Sequence, residues 1–261
     1  MQENSLGLGA TERKDLWWLG PVLTVAGLSL GFGYLTWAAF LGDPAHGHWG
    51  PYLSPVYSPP LLEWFPSLTG IVPHWVSPAL LILWAPGGFR ATCYYYRKAY
   101  YRAAFMTPPA CAVEGVPYKD YKGEKYFPFI LQNAHRFFMY LAVGFIAILL
   151  YDFYKAFWFP TADGSGTQFG VGVGTLVMGI NCVFLSNYTL GCHSLRHLIG
   201  GKIDCFSCNQ FTRARYKLWG KVTILNENHM LWAWCSLSSV VFTDFYIRMV
   251  ANGIFTDFRI F

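Results

Sequence analysis

The sequence predicts an all-α integral membrane protein, in which a single domain (residues 1–261) forms a bundle of five transmembrane helices. Hydrophobic residues make up 54% of the chain and charged residues only 13%, a balance too apolar for a soluble globular protein. The apolar residues also form runs long enough to cross the hydrocarbon core of a bilayer as helices. The formal charge of +5 is modest and the basic residues are clustered, which argues against a nucleic-acid-binding surface.

The first span is predicted at residues 16–41, where tryptophans near both ends would lie at the membrane interfaces. The second span, at residues 77–105, begins with an apolar half and continues with the polar sequence RATCYYYRKAYYRAAF. This second half must leave the hydrocarbon or be covered by protein, because charged side chains are costly there. The third, fourth and fifth spans are predicted at residues 127–157, 169–200 and 222–251.

The distribution of basic residues predicts the orientation of the bundle. A stretch rich in Pro, Trp and Tyr at residues 43–75 contains no Lys or Arg, and we expect it to form a surface loop on the outside. Fifteen of the 19 basic residues lie in the N-terminal tail and in residues 90–125 and 196–221. By the positive-inside rule, the N-terminus and these two regions are predicted to be cytoplasmic and the C-terminus to be outside.

One short segment, GCHSLRHLIGGKIDCFSC at residues 191–208, has the composition of a metal site. His193 and His197 are four residues apart, so on a helix they project from the same face. Two glycines then end the helix, and Cys205 and Cys208 follow as a CxxC turn. Two Cys and two His are the ligands of a structural zinc site or of a Rieske-type [2Fe–2S] cluster. Cys192 is a spare thiol that could replace one of these ligands.

Other polar side chains are predicted at the same depth in the cytoplasmic half of the membrane. His135 with its neighbour Arg136 and His229 lie near the starts of their spans, where ionisable residues are functional candidates by default. A bundle-facing structural role is an equal alternative for each. Asp152 and Asp244 are interpreted as helix-end groups or proton-relay carboxylates. The remaining cysteines have no metal-ligand spacing and are predicted to be structural: Cys93, Cys111, Cys182 and Cys235.

Three segments together resemble a known family of membrane proteins. They are RATCYYYRKAYYRAAF (Arg90–Phe105), NAHRFF (Asn133–Phe138) and GCHSLRHLIGGKIDCFSC (Gly191–Cys208). They are similar to the membrane-anchor subunit of succinate dehydrogenase and fumarate reductase, in the single-anchor form found in actinobacteria. The resemblance implies a bacterial plasma-membrane protein of respiratory complex II and the tricarboxylic acid cycle. It also implies a flavoprotein and an iron–sulfur subunit as cytoplasmic partners. The anchor itself would carry no succinate chemistry.

The same resemblance implies an electron carrier and a quinone site. Many five-helix anchors hold two b haems on four helix-borne histidines, whereas the outer histidines of this chain lie in the Pro-rich loop. This departure favours a [2Fe–2S] cluster on His193, His197, Cys205 and Cys208, with Cys192 as the alternative ligand. A haem-b-only anchor and a transporter-like protein with a structural zinc site are the other hypotheses. The ligand is expected to be menaquinone or another quinone, with haem as the alternative. Five residues are candidates to contact it: Arg90, Tyr94, His135, Arg136 and His229. The sequence leaves the quinone type and any higher oligomer open.

Overall fold

The structure of the chain is a computed structural model that describes residues 7–40, 47–73, 76–116, 125–127, 129–161 and 163–261. Within these ranges, four helices are long and apolar enough to cross a membrane. They are α1 (Leu19–Phe40), α5 (His135–Lys155, preceded by a 3-10 helix at Phe129–Ala134), α6 (Val173–Leu190) and α9 (His229–Ala251). The prediction of an all-helical, multi-span membrane protein is therefore confirmed. Position 41 of the first predicted span and position 128 of the third lie outside the described residues.

The fifth predicted crossing, at residues 77–105, is not confirmed as one continuous helix. The segment forms α3 (Leu80–Ala91) and α4 (Tyr94–Ala103), with Thr92 and Cys93 between them. The Thr92 hydroxyl donates to the Gly88 carbonyl at 2.7 Å, and the Cys93 backbone is extended, so the chain changes direction. The break falls where the sequence changes from apolar to charged.

The fourth and fifth predicted spans are also divided. Helix α6 ends at Gly191, and α7 (His193–Gly200) begins after an extended Cys192. Helix α8 (Gln210–Glu227) is separated from α9 by Asn228 alone. The Asn209 side chain caps α8 by accepting from the Thr212 backbone N–H at 2.8 Å. The ends of the long apolar helices therefore meet the more polar helices α4, α7 and α8, and we call this end of the bundle the basic end.

The opposite end, which we call the hairpin end, is closed by loops and short strands. The predicted surface loop contains β1 (His48–Trp49), β2 (Tyr52–Leu53), α2 (Leu61–Trp64) and a 3-10 helix at Pro66–Gly70. A second antiparallel hairpin pairs β3 (Trp158–Pro160) with β4 (Thr167–Phe169). His46 and His74 of the surface loop lie outside the described residues.

Buried polar side chains fasten the surface loop to the helices at the hairpin end. Asp244 of α9 is fully buried and accepts hydrogen bonds from Tyr34 of α1 and Ser54 of the loop. It also forms an ion pair with Arg248 at 3.2 Å. Asp152 of α5 is buried as well and accepts from the Ser58 hydroxyl. Both carboxylates therefore connect elements of the fold.

Candidate functional site

Two thiols and two imidazoles meet at the basic end, each at the beginning of a helix. Cys93 is the residue before α4, and Cys192 is the residue before α7. His135 is the first residue of α5, and His229 is the first residue of α9. The helix breaks described above are what bring these side chains inward. Each of these four helix N-termini carries a partial positive charge.

The four side chains form two thiol–imidazole contacts. His135 Nε2 lies 3.2 Å from the Cys192 sulfur, and His229 Nε2 lies 3.7 Å from the Cys93 sulfur. Both cysteines belong to one core cluster of buried residues, in which each is 2% exposed or less. We call these four residues the thiol–imidazole cluster.

Aromatic rings hold the two imidazoles in place. The Phe89 ring stacks on His135 with centroids 4.8 Å apart, and the Tyr188 ring stacks on His229 at 4.9 Å. Phe89 and Tyr188 also contact each other edge to face at 5.3 Å. The imidazoles therefore belong to one connected group of aromatic rings that restricts their rotation.

The hydrogen bonds of the imidazoles indicate which nitrogens are free. The Thr92 hydroxyl already donates to Gly88, so it accepts from His135 Nδ1 at 2.9 Å. This bond leaves Nε2 of His135 unprotonated and facing Cys192. His229 is 1% exposed, and its Nδ1 has no hydrogen-bond partner among the described residues. A buried nitrogen without a partner is costly, which is typical of a position prepared for a ligand.

The predicted set at residues 193–208 has a different geometry. The sulfurs of Cys205 and Cys208 are bonded to each other as a disulfide. His197 Nδ1 lies 3.4 Å from an Arg136 nitrogen, and His193 stacks on Tyr95 at 6.0 Å. Across the described ranges, no three His, Cys, Asp or Glu side chains are already placed to hold a metal ion. The assignment of these four ligands stays a prediction that the geometry does not support.

The surroundings also affect the protonation of His193. Burial lowers its pKa, and the positive charge of Arg196 lowers the pKa further. The His193 imidazole is therefore neutral at neutral pH.

The predicted quinone or haem residues do not all share one place. His135 and His229 belong to the thiol–imidazole cluster. Arg90 is 7% exposed and donates to Tyr96 and to the Ser236 hydroxyl, so it lies beside the cluster. Tyr94 is 56% exposed on the surface of α4, and Arg136 is exposed next to His197.

Sequence reasoning missed Cys93 and treated Cys192 only as an alternative ligand. Neither cysteine has a partner at metal-ligand spacing, because their partners lie on other helices. The one available signal was position: each cysteine interrupts an apolar segment just before a polar one, in the sequences RATCYYY and LGCHS.

An apolar cavity of about 290 Å³ borders the cluster. Phe89 and Tyr188, the rings that stack on the two histidines, form part of its wall, and Arg90 lies at the same end. Most of the remaining wall is aliphatic and comes from α1, α3, α5 and α6, including Leu35, Leu83, Ile146 and Leu149.

The chain is therefore a multi-pass membrane protein. Its helices place buried thiols and imidazoles beside an apolar cavity at one end, which is a candidate redox site. The family model described as actinobacterial succinate dehydrogenase subunit SdhC matches residues 19–253, and the chain belongs to this family. A solved structure titled Mycobacterium smegmatis Sdh1 complex in the apo form contains a chain that is 40% identical to this one. The match covers 100% of this chain and 97% of that chain, with a TM-score of 0.83. None of the curated proteins compared with this chain matches it.

The predicted family, partners and location are thereby confirmed. The chain is a membrane-anchor subunit of succinate dehydrogenase, a quinone oxidoreductase, and it is a multi-pass protein of the bacterial plasma membrane. Its partners are the flavoprotein and iron–sulfur subunits of that complex. The alternative of a transporter with a zinc site is not compatible with this membership.

Proposed function

We propose that this subunit passes electrons from the docked iron–sulfur subunit to membrane quinone through a Rieske-type [2Fe–2S] cluster of its own. The observation that carries the proposal is a pair of buried thiol–imidazole contacts, Cys192 with His135 and Cys93 with His229, which a bound cluster would have to draw together. Two thiolates and two imidazoles are the donor set of a Rieske-type centre. We assign the cluster to these four residues in place of the segment at residues 193–208.

The hydrogen bond of His135 supports this donor set, and the unpartnered nitrogen of His229 leaves that ring a free donor atom. A metal-ligating histidine usually donates its second ring N–H to a fixed neighbour, which sets the tautomer. His135 does so through Thr92, and its free Nε2 faces a cysteine sulfur. His229 has one nitrogen towards Cys93 and a second that is buried without a partner.

The electrostatics of the site also suit this assignment. Helix N-termini carry a partial positive charge, which favours the negatively charged thiolates that a cluster requires. Neutral imidazoles carry no charge of their own, so two of them keep the centre less negative than four thiolates would. A smaller negative charge is less costly in a region of low dielectric.

The overall reaction defines what the residues of this chain must do. Oxidation of succinate to fumarate by the partner subunits releases two electrons and two protons, and a quinone takes up two of each to become a quinol. A bound [2Fe–2S] cluster supplies a carrier of single electrons. The chain positions it: Thr92 orients His135, and the rings of Phe89 and Tyr188 exclude water from the imidazoles. In this proposal the basic end faces the cytoplasm, where the soluble subunits dock.

We place the quinone in the apolar cavity next to the cluster. Phe89 and Tyr188 line this cavity and also stack on the two histidines of the cluster. A quinone has an apolar tail, which the aliphatic wall suits, and a polar head group, which would lie near Arg90. Of the predicted quinone residues, this assignment retains Arg90 and transfers the two histidines to the cluster.

Filling the cavity is expected to weaken quinone binding without removing the cluster. The variant Ile146→Trp inserts an indole into the space, so the KM for a short-chain quinone should rise by about tenfold or more. Steady-state kinetics of the purified complex measure this effect. Leu150→Trp is the matched control, since Leu150 is 47% exposed on the same helix and does not line the cavity. An unchanged KM in the Ile146 variant would place the quinone elsewhere.

The purified complex is expected to contain a [2Fe–2S] centre beyond those of its iron–sulfur subunit. Low-temperature electron paramagnetic resonance (EPR) of the dithionite-reduced complex should show a Rieske-type signal, together with matching iron in a metal analysis. An absorption spectrum of the same sample tests the alternative of a b-type haem. Zinc without additional iron would replace the cluster with a structural zinc site, which uses the same donors.

A further inference from the structure

We propose that a second cavity, at the basic end, binds the phosphate group of an anionic phospholipid. The cavity has a volume of about 520 Å³ and lies between the start of α5, helix α7 and helix α8. Its lining includes two arginines, two histidines and a tryptophan: Arg136, His193, Arg196, His197 and Trp219. Within the described ranges no carboxylate lines it, and neither arginine has a carboxylate at ion-pair distance. The proposal goes beyond the proposed function, because it requires neither the cluster nor the quinone.

The guanidinium of Arg196 is held in a fixed position. Its Nε donates to the Thr223 hydroxyl at 2.9 Å, and that hydroxyl donates in turn to the Trp219 carbonyl at 2.8 Å. The guanidinium carbon also lies 4.6 Å from the centroid of the Trp219 ring. The two terminal nitrogens of Arg196 have no hydrogen-bond partner among the described residues. A guanidinium held in this way loses little freedom when its two terminal N–H groups bind a phosphate.

Two further donors reach the cavity from other positions. Arg136 donates to Nδ1 of His197 at 3.4 Å, because a guanidinium has no acceptor. With Nδ1 as the acceptor, the ring proton of His197 lies on Nε2, which remains a donor. The wall formed by Trp219 requires a glycine at the end of α7, because a Cβ at Gly200 would overlap the indole ring. Donors from α5 and α7 therefore surround one space that no anionic side chain fills.

The cavity lies at the level of the membrane where lipid phosphates are found. Arg136 is in the first turn of α5, which is one of the four helices able to cross a membrane. Its neighbour Phe137 is 69% exposed, and Leu198, which follows His197, is 45% exposed. Apolar surface next to the cationic cavity suits the acyl chains of a lipid. Basic pockets between membrane helices are typical binding sites for anionic head groups.

Arg196→Gln tests the proposal because it removes the fixed guanidinium and keeps a polar side chain. Native mass spectrometry of the delipidated complex, titrated with dioleoyl phosphatidylglycerol, measures the apparent Kd of the tightest-bound lipid. This Kd should rise about fivefold or more. Arg213→Gln is the matched control: Arg213 is exposed on α8 at the same end and does not line the cavity, so the Kd should not change. An equal rise in both variants would overturn the proposal, because it would show unspecific attraction of anionic lipid.

Arg136→Gln keeps the proposal testable if Arg196→Gln does not assemble. The mass of the complex in the same spectra shows whether the flavoprotein and iron–sulfur subunits are still bound. Arg136→Gln should raise the Kd by a similar factor, and an unchanged Kd in either assembled variant would contradict the site. Loss of the soluble subunits from Arg136→Gln with an unchanged Kd would assign the cavity to subunit docking and refute the lipid.

Two further titrations identify the source of the phosphate. Dioleoyl phosphatidylcholine carries the same phosphate, but its choline cancels the charge, so it should bind more weakly than phosphatidylglycerol. Equal Kd values for the two lipids would refute the requirement for an anionic head group. Inorganic phosphate has no acyl chains and should not displace phosphatidylglycerol at equal concentration. Displacement would instead assign the cavity to a free anion and overturn the lipid assignment.

Discussion

Replacing Cys192 with alanine is expected to abolish the Rieske-type EPR signal and to lower succinate:quinone activity by more than about 100-fold. The loss of a partner that merely orients a ligand already costs 10–100-fold in many metal sites, and loss of the ligand should cost more. Cys192 is buried, and its sulfur lies 3.2 Å from His135 Nε2, in the position of a ligand beside that imidazole. Iron content, EPR and quinone reduction of the purified complex provide the measurements. Oxidation of succinate with an artificial acceptor should persist, because the flavoprotein carries that chemistry.

Two control variants separate the competing ligand sets. The double variant Cys205→Ala/Cys208→Ala removes the cysteines of the CxxC turn and should keep both the signal and the activity. Cys182→Ala removes a buried thiol that faces the Leu149 carbonyl, so it controls for the loss of a buried sulfur. Loss of the EPR signal in the CxxC variant, with the signal retained in Cys192→Ala, would restore the assignment to residues 193–208.

The membrane class and most of the crossings could be predicted because they depend on local composition. Helices α1, α5, α6 and α9 all lie within predicted spans, since a run of apolar residues is enough to identify them. The break at Thr92–Cys93 was harder to place, because the residues that usually interrupt a helix, Pro86, Gly87 and Gly88, lie inside α3 and not at the break. Its position depends on the tertiary contact between Thr92 and His135.

The candidate site was predicted in its chemistry but not in its residues. The sequence showed cysteines and histidines near one membrane surface, and the spacing rule selected those that are close in sequence: His193, His197, Cys205 and Cys208. The cluster in the structure joins residues that are each more than 35 positions apart in the sequence, from Cys93 to His229. Such a set has no sequence spacing to recognise, because the bundle rather than a local turn brings it together. His135 and His229 were found because an ionisable residue within a span is conspicuous on its own.

Replacing Asp244 with asparagine is expected to destabilise the hairpin end by about 3–5 kcal/mol, the usual cost of removing one partner of a buried ion pair. The variant has nearly the same shape but leaves the guanidinium of Arg248, which is 3% exposed, without a counter-charge. It also weakens the acceptor for Tyr34 and Ser54, which connect α1 and the surface loop to α9. The temperature at which half of the folded complex is lost should fall by roughly 10 °C.

The exposed pair Arg13–Asp15 supplies the matched control for this ion pair. Asp15→Asn also removes one carboxylate charge, but the Asp15 side chain is 57% exposed. Water and salt screen the remaining charge of Arg13, so we expect little change in stability. The double variant Asp244→Asn/Arg248→Met removes both buried charges and should recover much of the stability lost in Asp244→Asn. If Asp244→Asn and the double variant were equally unstable, the cost would lie in the hydrogen bonds to Tyr34 and Ser54. The surface loop would then depend on these two bonds for its attachment to the bundle, and the buried charge would contribute little.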